Sequence, residues 1–116
     1  MHSPFIQIMT TTARREDAGR IGETLVEKRL AACVQVIGPI RSIYRWKGNI
    51  ERDEEWLCQI KSRRDLFDAA AQAIRAVHPY ETPEIIALPI IAGSGDYLAW
   101  LEGELNPLSN DRQGSR

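Results

Sequence analysis

Residues 40–62 read IRSIYRWKGNIERDEEWLCQIKS. Ile40 to Trp46 is an apolar-rich strand pattern, Lys47-Gly48-Asn49 supplies turn chemistry, and Glu55 to Ser62 returns as a second strand. The returning arm alternates: Trp56, Cys58 and Ile60 face one way, and Glu55, Leu57, Gln59 and Lys61 face the other. The arms from Ile40 to Lys61 therefore form one long hairpin, longer than a chain of 116 residues can cover by itself. Tyr44, Trp46, Trp56, Cys58 and Ile60 give it more apolar surface than two helices can hide, and such patches mark interfaces. A closed assembly of copies also removes unpaired strand edges.

Working outward toward the N-terminus, Ala31 to Ile37 is an apolar strand that meets the hairpin through Gly38-Pro39, where a bend or bulge is expected. Arg14 to Arg29 has helical spacing, with Ala18, Ile21 and Leu25 on one stripe, Glu16 and Asp17 in the first turn and Lys28 and Arg29 in the last. Phe5 to Thr10 is a strand. Toward the C-terminus, Leu66, Ala70, Ala73, Ile74 and Val77 define a second helix, which must stop by His78 because Pro79 disfavours helical geometry in the residue before it. Ile85 to Ile91 is a strand, apolar nearly throughout and so expected to be covered on both faces, with Pro89 suggesting an edge or bulge. Tyr97, Trp100, Leu101 and Leu105 give a last short helix. The order is βαββαβ plus a C-terminal helix, an α+β chain in the split-βαβ arrangement. One domain is expected over residues 1–105, and residues 106–116 read as a disordered polar tail.

A net charge of −1 argues against a nucleic-acid partner, which calls for a basic face. Arg14-Arg15 and Arg63-Arg64 read as solvated charges at helix starts, without the aromatic interleaving of a single-strand groove. No apolar run approaches the roughly 18 residues of a membrane span, and Met1 to Phe5 does not read as the start of a secretory signal. Cys33 and Cys58, the two cysteines, are expected as reduced thiols in a cytoplasmic protein. No catalytic set is legible: GxxxxGK[ST], HExxH and GxSxG are all missing, and His2 sits at the very N-terminus. The chain reads as a non-enzyme without an organic cofactor.

Three blocks carry a family resemblance over about residues 5–105. They are Lys28-Arg29-Leu30-Ala31-Ala32-Cys33-Val34; Ser42-Ile43-Tyr44-Arg45-Trp46-Lys47-Gly48 with Asp53, Glu55 and Ile60-Lys61; and His78-Pro79-Tyr80-Glu81-Thr82-Pro83-Glu84-Ile85-Ile86 with Tyr97 to Leu101. Together they resemble the CutA divalent-cation tolerance family. The resemblance implies a ferredoxin-like sandwich whose hairpin joins subunits into a homotrimer with a PII-like architecture.

His78 has two readings on its own residues. Its imidazole can take copper or zinc, with Glu81 and Glu84 following on a segment stiffened by two prolines; or it finishes the second helix, donating near the last carbonyls. Cys33 is a small hydrophobe in an apolar strand or a thiolate ligand for copper. Cys58 reads as interface or core packing. The resemblance associates the His78 position with metal; with Cys33 and Glu81 as further donors read from the residues themselves, the expected site is His78, Cys33 and Glu81. The resemblance also exposes departures: Thr10 stands where some members have a cysteine, and Val77 where some have a second histidine. The remaining donors fall short of a four-ligand shell, so weaker copper binding, completed by another subunit, is expected.

The resemblance further implies a cleft at the subunit boundary holding Trp46, Glu55, Lys61, Tyr80, Glu81 and Glu84. Glu55 and Lys61 share a strand face, and a lysine beside aromatic rings suits an anionic or aromatic small molecule; the plainer alternative is an intersubunit salt bridge with aromatic packing. Two functions follow: a trimeric tolerance protein binding divalent metal, copper first, or a PII-like sensor holding a small effector between subunits.

Overall fold

The computed structural model describes residues 3–107. In chain order the elements are β1 (Phe5–Thr12), α1 (Arg15–Glu27), β2 (Cys33–Trp46), β3 (Asn49–Arg63), a 3-10 turn (Arg64–Leu66), α2 (Phe67–Val77), β4 (Ile86–Pro89) and α3 (Gly95–Glu104). The four strands form one antiparallel sheet in the order β2-β3-β1-β4. This is the ferredoxin-like split βαβ arrangement expected from the element order.

One face of the sheet carries the core. Ile6 and Ile8 of β1 and Cys58 and Ile60 of β3 meet Ala18, Ile21 and Leu25 of α1 and Ala70 and Ile74 of α2. Alternation along β3 puts Cys58 and Ile60 on one side, as read from the sequence, but that side lies under this chain's own helices. Both residues are completely buried, so neither is available to a neighbouring subunit, and their expected place in a trimer interface is corrected. Burial also pushes the Cys58 thiol up to about 11, which leaves it protonated and unreactive at neutral pH.

The hairpin outruns the sheet. β1 pairs with β3 only between Trp56 and Arg63, whereas β2 pairs with β3 from Lys61 out to Asn49. Residues Asn49 to Glu55 and their β2 partners therefore project as a two-stranded arm, in a molecule extending 50 × 29 × 26 Å. Ile43 is 64% and Ile50 51% exposed on that arm. Its turn is tight, with positive φ at Lys47 (50°) and Gly48 (86°), as a hairpin matched to strand twist requires.

β2 does not stop at Gly38-Pro39. It bulges there: Ile37 pairs with Leu57 and Ile40 with Glu55, so two residues oppose Trp56 alone. The Trp56 indole packs into this bulge, and a Cβ added at Gly38 would lie 2.4 Å from its Cε3 and 2.7 Å from its Cδ2. Gly38→Ala is expected to cost about 1–3 kcal/mol through overpacking. Urea unfolding at fixed protein concentration measures it, and an unchanged midpoint would show that the bulge absorbs a methyl group.

β4 departs from expectation. It spans four residues and lies at the sheet edge beside β1, with Ile86 and Leu88 about half exposed, rather than being covered on both faces. The presence of Pro89 agrees with an edge position. Lys28 and Arg29 fall just past the end of α1, where Arg29 takes φ 58°. Asn106, assigned by sequence to the tail, is anchored: its N–H donates to the Arg29 carbonyl, its side chain to the Lys28 carbonyl, and its own carbonyl accepts from Arg63. The rest of the expected tail, residues 108–116, lies outside the described residues, as does His2. Arg63 is also a correction, being fully buried instead of solvated, with its guanidinium on Asp65, Glu102 and the Asn106 carbonyl. Among the described residues, no helix is long and apolar enough to cross a membrane.

Candidate functional site

Pro79 shapes the site by ending α2. The residue before it is driven out of helical geometry, and His78 takes φ −80°, ψ 133°. That turn carries the imidazole inward, to 9% exposure. Its Nε2 lies 2.9 Å from the Thr11 carbonyl, and its Nδ1 accepts from the Tyr80 N–H at 3.2 Å. A carbonyl can only accept, so Nε2 carries the proton and Nδ1 gives its lone pair to Tyr80. Burial lowers the His78 pKa, partly opposed by the Thr11 carbonyl, Asp17 and Glu55, which favours the neutral ring that this pairing uses.

Tyr80 extends the chain of bonds. Its phenol donates to Glu55 Oε2 at 2.6 Å, joining the segment after α2 to the base of the hairpin arm. Glu55 is 6% exposed. Burial, with the Glu55 hydrogen bond adding to it, raises the Tyr80 pKa well above the ordinary phenol value. Further out, the Tyr44 phenol donates to Asp53 Oδ2 at 2.5 Å, and that bond, with burial and the Asp53 charge, raises its pKa to about 12. Both phenols stay protonated donors.

Between the arm and the segment after α2 lies a cleft of about 550 Å³. Ser42, Ile43, Tyr44, Trp46 and Glu55 line it from the hairpin, and Tyr80, Glu81, Thr82 and Glu84 from the other side, with Thr11 completing it. Trp46, Glu55, Tyr80 and Glu84, expected in a cleft at a subunit boundary, line this cleft within one chain. Lys61 does not. It sits six residues from Glu55 along β3, about 20 Å at strand rise, and donates from Nζ to Gln35 Oε1 at 2.8 Å. The shared strand face was correct, but same-face residues need not be neighbours.

The expected metal donors do not converge within one chain. Cys33 pairs with Lys61, which pairs with Gln7; Thr11, where His78 is bonded, lies four residues further along β1, about 13 Å away. Glu81 lines the cleft, and both His78 nitrogens are already used. Among the described residues, no group of three or more His, Cys, Asp or Glu side chains is arranged to hold an ion. Of the expected interface residues, Tyr44 lines the cleft, while Trp56 is half-buried with the Arg15 guanidinium 5.8 Å from its ring centroid. Sequence reasoning did not place Tyr44, Ser42, Ile43, Thr82 or Thr11 in the cleft. The alternation of Ser42 and Tyr44 with Trp46 along one strand was the available signal for two of them.

The family model described as CutA1 divalent ion tolerance protein matches residues 6–104. The chain belongs to the CutA1 divalent ion tolerance family. It is 46% identical over 100 residues to Protein CutA of Mus musculus, covering 86% of this chain and 56% of the mouse protein. It is 43% identical over 94 residues to the divalent-cation tolerance protein CutA of Thermus thermophilus, covering 81% of this chain and 91% of that one. The chain thus spans about half the length of the mouse relative and of the chloroplastic relative from Arabidopsis thaliana. Among solved structures, CutA1 from the psychrotrophic bacterium Shewanella sp. SIB1 superposes with a TM-score of 0.87 at 40% identity, covering 92% of this chain and 100% of that one. The α+β ferredoxin-like fold of this CutA1 family member is therefore that of its solved relatives.

Proposed function

We propose that this chain serves divalent-cation tolerance as a homotrimer whose cleft, between the hairpin arm and residues 80–84, holds a small effector. The observation that carries this reading is the cleft itself. Its volume falls in the range of small-molecule sites, about 300–1,000 Å³, and aromatic rings, hydroxyls and carboxylates converge on it from two separate segments. The Tyr80–Glu55 bond ties those segments together, so occupancy of the cleft can be felt in the position of the arm. Copper on His78 ranks below this reading, because a metal on either ring nitrogen would have to displace a hydrogen bond of a buried ring, that of the Tyr80 N–H at Nδ1 or of the Thr11 carbonyl at Nε2.

Assembly rests on apolar surface that one chain leaves open. Ile43 and Ile50 on the arm, Ile86 and Leu88 on the β4 edge, and Trp100 on α3 are all exposed. A ring of copies that lays each arm against a neighbour covers this surface and closes the sheet edges. Light scattering across a wide concentration range is expected to give a mass near three chains; a monomer at micromolar concentration would end the assignment of the arm as an interface. For the cleft, a thermal-shift panel of small metabolites is expected to yield a stabilising ligand whose effect is lost in Trp46→Leu and kept in Lys61→Ala.

A further inference from the structure

We propose that the ligand of this cleft is a small organic cation, an ammonium or guanidinium group on a compact carbon frame. The proposal rests on the cleft being an effector site, and adds the sign and kind of charge it takes. Three observations fix that sign. The lining contains three aromatic side chains, Tyr44, Trp46 and Tyr80, and three carboxylates, Glu55, Glu81 and Glu84, but no lysine or arginine. Among the described residues, none of those three carboxylates is in an ion pair, so their charge is not cancelled by a neighbouring cation. The Tyr80 phenol donates its hydrogen bond to Glu55 and the Tyr44 phenol to Asp53, so neither hydroxyl is left to donate to an incoming anion.

The arrangement also separates an organic cation from a bare metal ion. A divalent ion needs several oxygens drawn onto one point at 2.0–2.6 Å, and the described acidic side chains form no such cluster. Carboxylates spread around aromatic walls suit a larger, softer charge, which a ring face attracts within about 6 Å of its centroid. The structure already uses one of these rings in this way: Lys47 Nζ lies 5.6 Å from the centroid of the Trp46 indole at the hairpin turn.

The test is calorimetry on the full chain with three probes of similar size: benzyltrimethylammonium, uncharged benzyl alcohol and benzoate. Benzyltrimethylammonium is expected to bind at least tenfold more tightly than either of the others, and less tightly as salt is raised. Trp46→Leu and the double substitution Glu81→Gln with Glu84→Gln are each expected to weaken it tenfold or more. Glu81 and Glu84 are exposed, so the double variant is expected to fold, which its melting curve checks. Benzoate binding as tightly as the cation, in a way that Trp46→Leu weakens and Lys61→Ala does not, would overturn the charge assignment and leave the effector site standing. Cation binding unchanged in both variants would place the ligand elsewhere and overturn the proposal. If none of the probes binds in a Trp46-dependent way, the proposal and the effector reading fall together.

Discussion

Asp65→Ala will destabilise this protein by about 3–5 kcal/mol, more than Arg63→Met will, although both remove the same ion pair. Among the described residues Arg63 is the largest completely buried side chain, and its Nε and Nη2 both donate to the Asp65 carboxylate, with Nη1 on Glu102 and Nη2 also on the Asn106 carbonyl. The pair is lopsided in its access to water. The Arg63 side chain is 1% exposed, whereas Asp65 is 26% and Glu102 42% exposed. Taking away the acid leaves a buried guanidinium that cannot shed its proton with only the more exposed Glu102 carboxylate and the Asn106 carbonyl as partners, and breaking a buried pair in this way costs about 3–5 kcal/mol. Taking away the guanidinium but keeping its stem leaves carboxylates that water can reach, at about 1–2 kcal/mol. The decisive comparison is the double variant. Denaturation at one protein concentration is expected to show Asp65→Ala with Arg63→Met more stable than Asp65→Ala alone. A double variant less stable than either single one would mean that Arg63 acts by packing and not by charge.

His78→Ala is expected to cost about 2–4 kcal/mol and to change the acid side of the stability profile. The ring joins the end of α2 to β1, and its loss leaves the Thr11 carbonyl and Tyr80 N–H without their partner beside a new cavity. The pH dependence has a definite sign. The folded-state pKa of His78 lies below the ordinary value of 6.5, so the unfolded chain takes up the proton first as pH falls. The histidine's contribution is complete above pH 6.5 and is lost as pH drops toward the lowered folded value. The parent should therefore lose stability faster than His78→Ala in that window, the difference between the two curves isolating this group from the carboxylates. Parallel curves would mean that the ring is not held neutral. Calorimetry with copper gives a second measure: if His78→Ala abolishes a tight copper site in the parent, the ring nitrogens are exchangeable and the metal reading moves ahead of the effector.

Local rules made the architecture legible from sequence. Period-2 alternation across Glu55 to Lys61, turn residues at Lys47 and Gly48, helical spacing from Ala18 to Leu25 and from Leu66 to Val77, and the veto of Pro79 on helix continuation each act within a few residues. Tertiary context enters none of them, so the element order and the hairpin follow from the chain alone. Half of the site came from the family resemblance and not from local rules: it named Tyr80, Glu81 and Glu84 on one short segment and Trp46 at the end of the arm that faces it.

What the sequence could not decide was distance and side. Alternation puts Glu55 and Lys61 on a common face and Cys58 with Ile60 on the opposite one, but parity carries no information about separation or about which face the helices cover. The fold answered both, placing Lys61 far down the strand on Gln35 and sealing Cys58 and Ile60 under α1 and α2. Nor could spacing tell whether the His78 nitrogens were free, since their partners Thr11 and Tyr80 are 67 and two residues away and only one is local. Arg63 shows the same limit: a charge beside a helix start reads as solvated until α3 and Asn106, brought back from the far end of the chain, close over it. Covalent neighbours set backbone geometry, whereas burial and pairing are set by groups that meet only when the chain has folded.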